Sequence, residues 1–137
     1  MGDIDPAPWW MYRASPDPLS EYYHGVVDGD TLDLQLDQGL ETYGSTRVRL
    51  AGVDAAETYG VSHDTAEYRA GAEHTAFVIE WVGDAVAEWS GSWPLVVRTE
   101  RDESGKYGRL LADIRRRVDD GVLSEALIDE FPSVETP

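Results

Sequence analysis

The sequence predicts a small α+β protein in which five strands close a Greek-key barrel, with one helix between the third and fourth strands and a short helix near the end. Three observations predict this fold. Short alternating runs of polar and apolar residues recur between turn signals, a single helical periodicity interrupts them across residues 65–89, and 137 residues supply one modest core.

Residues 1–18 read as a tail rich in proline and tryptophan. Pro6, Pro8, Pro16 and Pro18 surround Trp9-Trp10-Met11-Tyr12, and proline argues against a helix or central strand. An exposed Trp-Trp pair is poorly tolerated on a monomer. Trp9, Trp10 and Tyr12 are therefore expected to dock, either on the protein's own barrel or on a protein partner or second copy.

The domain proper is placed at residues 19–131, and its first strand at 19–27. Asp28-Gly29 forms a tight turn, because Asp-Gly favours positive φ, with Asp28 as a turn residue. The second strand follows to Asp37, alternating as Thr31-Leu32-Asp33-Leu34-Gln35-Leu36-Asp37. Asp30 has the parity of Leu32, Leu34 and Leu36, so its carboxylate stands at the end of a core-facing row. That position is costly unless the group is paired or binds a cation. A loop at 38–40 leads to a third strand at 46–53. Gly52 interrupts its end and allows a bulge, so parity leaves open which face Arg49 takes.

Across 65–89, Ala72, Ala76, Phe77, Glu80, Trp81 and Val82 build one helical face, with Thr65 near the start and Gly83 as a point of loosening. Val78 and Ile79 lie off that face and make the helix apolar on two sides. The fourth strand is expected at 94–99, a turn at 102–105 and the fifth strand at 109–118. Asp119-Asp120-Gly121 breaks it, a helix runs over 123–130 with Ser124 near its N-terminus, and Pro132 stops it. Residues 132–137 read as a C-terminal tail. The order β-β-β-α-β-β-α matches a five-stranded barrel of the OB type.

Composition narrows the function. The absence of cysteine excludes disulfides and thiolate metal sites. The acidic start is not followed by a long apolar run, so neither a signal peptide nor a membrane span is expected, and a soluble cytoplasmic protein is. Asp and Glu total 27 against 11 Lys and Arg, giving a net charge of −16, and Lys106 is the only lysine. Such a surface fits adaptation to molar salt, where fields decay over about 3 Å rather than about 10 Å. His24, His63 and His74 lack ligand spacing and are assigned to surface or packing roles. The run Arg115-Arg116-Arg117 reads first as a solvated strand face.

Four runs then carry a resemblance: Asp28-Gly29-Asp30-Thr31, the segment from Val48 to Thr58, Lys106-Tyr107-Gly108-Arg109, and Gly121 to Leu127. In order and spacing they resemble the staphylococcal nuclease (thermonuclease) family. The resemblance implies an OB barrel and calcium-dependent hydrolysis of DNA or RNA to 3′-phosphorylated products. It implies that Asp30, Asp54 and the carbonyl of Ala55 hold Ca²⁺, with Mg²⁺ the lesser choice, and that Glu57 is the general base or orients water. Arg49 and Arg109 would clamp the scissile phosphate, and Lys106 and Tyr107 would contact a terminal phosphate. The segment Asp54-Ala55-Ala56-Glu57 replaces the family's Asp-Thr-Pro-Glu, and much of the family's C-terminal helical region is absent.

Elementary chemistry is consistent with these roles. Adding water to an anionic phosphorus requires donors for the charge that grows on oxygen, which arginine forks supply. Oxygen ligands favour calcium or magnesium over zinc, and a carboxylate near the metal accepts a proton from water. The sequence thus predicts a calcium-dependent nuclease adapted to high salt. The alternative is a nuclease-like OB module with a binding or structural role in a larger, even viral, assembly. An acidic DNA mimic ranks last, because it gives no reason for arginines among the carboxylates.

Overall fold

A computed structural model describes residues 12–56, 62, 64–101 and 110–136. Strand β1 (Tyr12–Pro16) is followed, after a detour that includes one 3-10 turn, by β2 (Val26–Asp28), β3 (Thr31–Asp37) and β4 (Tyr43–Leu50). Helix α1 (Ala66–Glu88), strands β5 (Leu95–Arg101) and β6 (Leu110–Arg116), and helix α2 (Leu123–Glu130) complete the chain, with a second 3-10 turn at Pro132–Val134.

β3 pairs antiparallel with β4, β4 runs parallel to β6, and β6 pairs antiparallel with β5. β1 then joins β5 to β3, antiparallel to both, and the barrel closes. The result is a closed five-stranded mixed barrel of OB-like architecture with one extra strand, β2, and two helices. β2 meets the start of β3 (Val26↔Leu32), and β1 meets the rest of it (Pro16↔Leu34 to Arg13↔Asp37). β1 and β2 are thus two halves of one edge, interrupted by residues 17–25.

This arrangement corrects the sequence reading at the N-terminal end. Residues 12–16, read as tail, are a barrel strand, and residues 19–25, read as strand, lie in the detour. Pro16 is the last residue of β1, so it ends the strand instead of breaking it. Ala14 is fully buried, Arg13 forms an ion pair with Asp37 directly opposite, and Tyr12 packs against the core. Tyr12 therefore belongs to the barrel and not to an outer docking patch. Trp9 and Trp10 lie outside the described residues.

The alternation read in β3 is realised. Leu32, Leu34 and Leu36 point into the core with Val48 and Leu50 of β4, Leu95 and Val97 of β5, and Ala112 and Ile114 of β6. Thr65 caps α1, its Oγ1 accepting the Tyr68 N–H at 3.1 Å. The buried stripe of α1 is Gly71, His74, Val78, Trp81, Val82 and Ala85, spaced as a single face. Val78 is therefore central to the core and not part of a second surface, and burying it with Val82 stabilises the fold by about 1.5–3 kcal/mol each. The helix continues through Gly83. The start of α2 is capped at Val122, and no side chain, Ser124 included, makes the cap hydrogen bond.

The C-terminal segment is also part of the barrel. Val134 is buried, Val53 bridges to Glu135, and the Thr136 N–H donates to the Gly52 carbonyl at 3.1 Å. Residues 132–136 thus form a clamp on the turn that follows β4, where the sequence reading placed a tail.

Candidate functional site

The site is assembled where β3 begins and β4 ends. Thr31 and Arg49 are register partners across these strands, so the residue before β3, Asp30, stands beside the end of β4. The backbone closes this corner, with the Leu50 N–H donating to the Asp30 carbonyl at 2.8 Å. Gly52, at φ +82, turns the chain after β4, a conformation that glycine adopts without steric cost. Two residues later the Asp54 N–H donates to the Val134 carbonyl at 2.8 Å. The clamp at 132–136 therefore holds the backbone of Asp54 in place.

Val48 and Leu50 are buried, and Arg49 between them faces outward. This settles the face that the sequence left open. One nitrogen of its guanidinium, Nη2, lies 2.8 Å from Asp54 Oδ1 and 3.6 Å from Asp30 Oδ2. Asp30 is 8 % exposed, and each of its oxygens has a hydrogen-bond donor. Oδ1 accepts from Thr31 Oγ1 at 2.9 Å, and Oδ2 accepts the Ala55 N–H at 3.0 Å. The burial cost of Asp30 is thus met by pairing and hydrogen bonding. Asp54 differs, since its side chain is 69 % exposed, and its contact with Arg49 contributes little to stability.

The structure thus brings together Asp30, Arg49, Asp54 and Ala55. Glu57, Lys106, Tyr107 and Arg109 lie outside the described residues. Strand β6 begins at Leu110, the residue after Arg109 in sequence, and pairs with Val48 beside Arg49.

No protein-family model matches the chain, and no curated protein matches it in sequence.

The sequence assigned His74 only to surface or packing. It lies in the buried stripe of α1, and its Nδ1 accepts the Ala56 N–H at 3.2 Å, holding the segment that carries Asp54. The ring of Phe131 packs against it edge-on, with centroids 4.6 Å apart. Burial lowers its pKa, with Glu73 and Asp30 opposing the shift, so the neutral form that can accept this hydrogen bond is favoured. The helical spacing of Gly71, His74 and Val78 was a signal for its burial. Its partner, a backbone N–H, leaves no trace in sequence.

Gly29 is the other residue that the sequence undervalued. A Cβ there would stand 2.7 Å from His74 Cβ and 3.0 Å from Ala55 Cβ. The turn before Asp30 is therefore pressed between α1 and the Asp54–Ala56 segment, where any side chain would force a neighbour to shift. Beside that segment lies a pocket of about 420 Å³ lined by Asp54, Ala56, Glu67, His74 and Val134.

The carboxylates of Asp30 and Asp54 and the backbone carbonyls of this segment are oxygen donors, the type preferred by hard divalent cations. A carboxylate has about four lone-pair sites, so the hydrogen bonds to Asp30 leave acceptor capacity. Among the described residues, no group of three His, Asp or Glu side chains is placed to hold a metal. A cation here would therefore draw on the backbone carbonyl and on donors from elsewhere. Among the described residues, no helix is long and apolar enough to cross a membrane.

Proposed function

We propose that this chain is a metal-dependent phosphodiesterase that hydrolyses DNA or RNA. The observation that carries this reading is the placement of Arg49 against both Asp30 and Asp54 at one corner of an OB-like barrel. A guanidinium beside two carboxylates, one buried and one exposed, can offer forked donors to a phosphate where a cation is also bound. Asp30, Asp54 and the Ala55 carbonyl would hold the cation, calcium before magnesium, and it would supply Lewis acidity toward the phosphate oxygens when bound. Arg49 binds an equatorial oxygen. By the resemblance, Glu57 takes a proton from the attacking water, Arg109 stabilises the departing 5′ oxygen, and Lys106 and Tyr107 bind a terminal phosphate. The net charge of −16 fits work at high salt, where self-repulsion is screened.

A second reading is favoured by one specific observation. Arg49 is already hydrogen-bonded to Asp54, and both oxygens of Asp30 already accept from Thr31 and Ala55, as they would in a barrel kept as a binding module of a larger assembly.

The two readings separate in one assay. Single-stranded DNA is incubated in molar potassium chloride with calcium, with magnesium or with chelator, using the native chain and Glu57→Gln. The nuclease reading expects calcium-dependent cleavage, greatest at high salt, that falls by about 10²-fold or more in the mutant. Absence of cleavage by the folded native protein in every condition refutes it and leaves the binding module.

A further inference from the structure

A second cavity, away from Arg49, has features the phosphodiester chemistry does not use. It has a volume of about 470 Å³ and is lined by Ser15, Pro16, His24, Gln35, Tyr43, Val86, Ser92, Trp93 and Pro94. The volume lies within the range of small-ligand sites. None of these side chains is an acid, an arginine or a lysine, in a chain whose net charge is −16. The cavity is therefore a neutral, aromatic recess on an acidic protein.

Two of its lining residues hold unusual backbone conformations. His24 has φ 52 and Trp93 has φ 66. Positive φ is uncommon outside glycine and is an outlier for a bulky residue, and such strain concentrates at binding sites. Of the five described non-glycine residues at positive φ, these two contribute to one cavity. Trp93 stacks on Tyr43 with ring centroids 5.6 Å apart and planes at 25°. Tyr43 is 53 % exposed, so a broad aromatic surface remains open to solvent.

The strand register connects this recess to the candidate site. Side chains at alternate positions of a strand share a face. Along β4, Tyr43, Ser45, Arg47 and Arg49 lie on the outer face, while Val48 and Leu50 point inward. Arg49 and Tyr43 are six residues apart, so about 20 Å of strand separates them. This outer face of paired strands β3 and β4 starts at a guanidinium set against carboxylates and ends at an aromatic stack. Stacking platforms joined to cationic side chains bind unpaired nucleic acid.

We propose that the recess formed by Tyr43, Trp93 and His24 binds one unpaired nucleobase of the strand whose phosphate lies at Arg49. The base stacks on the Tyr43–Trp93 pair, and Gln35 and Ser92 offer polar groups to its edge. A neutral flat ring suits the recess because its lining is aromatic and polar and holds no acid, arginine or lysine. This inference rests on the nucleic-acid reading given above. It is independent of whether the chain cleaves.

The test measures binding in chelator, where cleavage plays no part. Anisotropy of a fluorescein-labelled single-stranded oligothymidylate is titrated with the native chain, Tyr43→Ala, Trp93→Ala and Tyr43→Phe in molar potassium chloride. The two alanine variants should bind about 5- to 150-fold more weakly, the range for loss of one stacked base, and Tyr43→Phe should retain native affinity. An abasic strand should bind the native chain as weakly as the oligothymidylate binds Tyr43→Ala. Equal affinity of native protein and Tyr43→Ala overturns the proposal, since Tyr43 is exposed and its loss leaves the core intact. So does equal affinity for abasic strand, which would assign the recess to sugar or backbone. Failure of the native chain to bind any strand overturns it too. Failure of the cleavage assay with the stacking effect intact overturns only the nuclease.

Discussion

Gly29→Ala should destabilise the fold through three close contacts at the candidate site. The added methyl carbon would stand 2.7 Å from His74 Cβ, 3.0 Å from Ala55 Cβ and 3.3 Å from the His74 carbonyl carbon. Carbon atoms rest about 3.5–4.0 Å apart, so the shortest contact is about 1 Å too close. None of these atoms is the free end of a flexible side chain, and relief requires moving α1 or the Asp54–Ala56 segment. Overpacking of this kind costs about 1–3 kcal/mol, and the smaller unfolded-state entropy of alanine offsets about 0.4–1 kcal/mol. The net expectation is a loss of about 1–2 kcal/mol, or roughly 4–8 °C in Tm. Urea unfolding followed by tryptophan fluorescence measures it as a lower midpoint at constant m. Gly91→Ala serves as control, because its Cβ meets only Trp89 Nε1, at 3.7 Å. If both variants unfold at the native midpoint, α1 does not press on the turn as described.

The two candidate carboxylates should respond differently to neutralisation. Asp54→Asn changes stability by no more than about 0.5 kcal/mol, whereas Asp30→Ala leaves the Ala55 N–H and the Thr31 hydroxyl without their acceptor and costs about 1–3 kcal/mol. Equal stability losses in urea would contradict the burial difference. Asp33 has its pKa lowered by the Arg47 hydrogen bond and, less strongly, by Ser20, against burial. Its stabilising contribution is therefore complete above about pH 4 and is lost as pH falls through the depressed value. Asp33→Asn should flatten that part of the acid limb in urea midpoints measured from pH 7 to pH 3. His74 has a pKa lowered by burial. The unfolded chain protonates first as pH falls below about 6.5, and stability declines from there until the folded histidine protonates as well. His74→Asn, which can keep an acceptor for the Ala56 N–H, should remove that slope; an unchanged midpoint-versus-pH curve would refute it.

How far the sequence discloses this molecule depends on whether the cause of each element is local. The leucine alternation of β3 and the periodicity and Thr65 cap of α1 are local, and the structure has them where the residues indicate. α2 spans Leu123–Glu130 as read. Strand β1 was missed because Pro6, Pro8, Pro16 and Pro18 overshadow five residues whose pairing partners, in β3 and β5, are distant in sequence. At the site, the parity of Asp30 indicated a buried carboxylate that needs a partner. The roles of Gly29, His74 and Val134 were not legible, because each consists of an approach between segments far apart along the chain.

The clamp at 132–136 also bears on the order of assembly. Asp54 and Gly52 emerge during synthesis well before Val134 and Thr136, whose backbone groups pair with theirs. A nascent chain can align β3 with β4 early, because those strands are neighbours in sequence. Asp30 and His74 can take up the Ala55 and Ala56 N–H groups earlier, but the backbone of Gly52 and Asp54 gains its partners only when the segment after α2 has been made. Local hairpin formation and completion of the Asp30–Arg49–Asp54 corner are thus separated in time. A fragment stopping at Glu130 would keep all six strands yet lack the backbone that anchors one of its two candidate carboxylates.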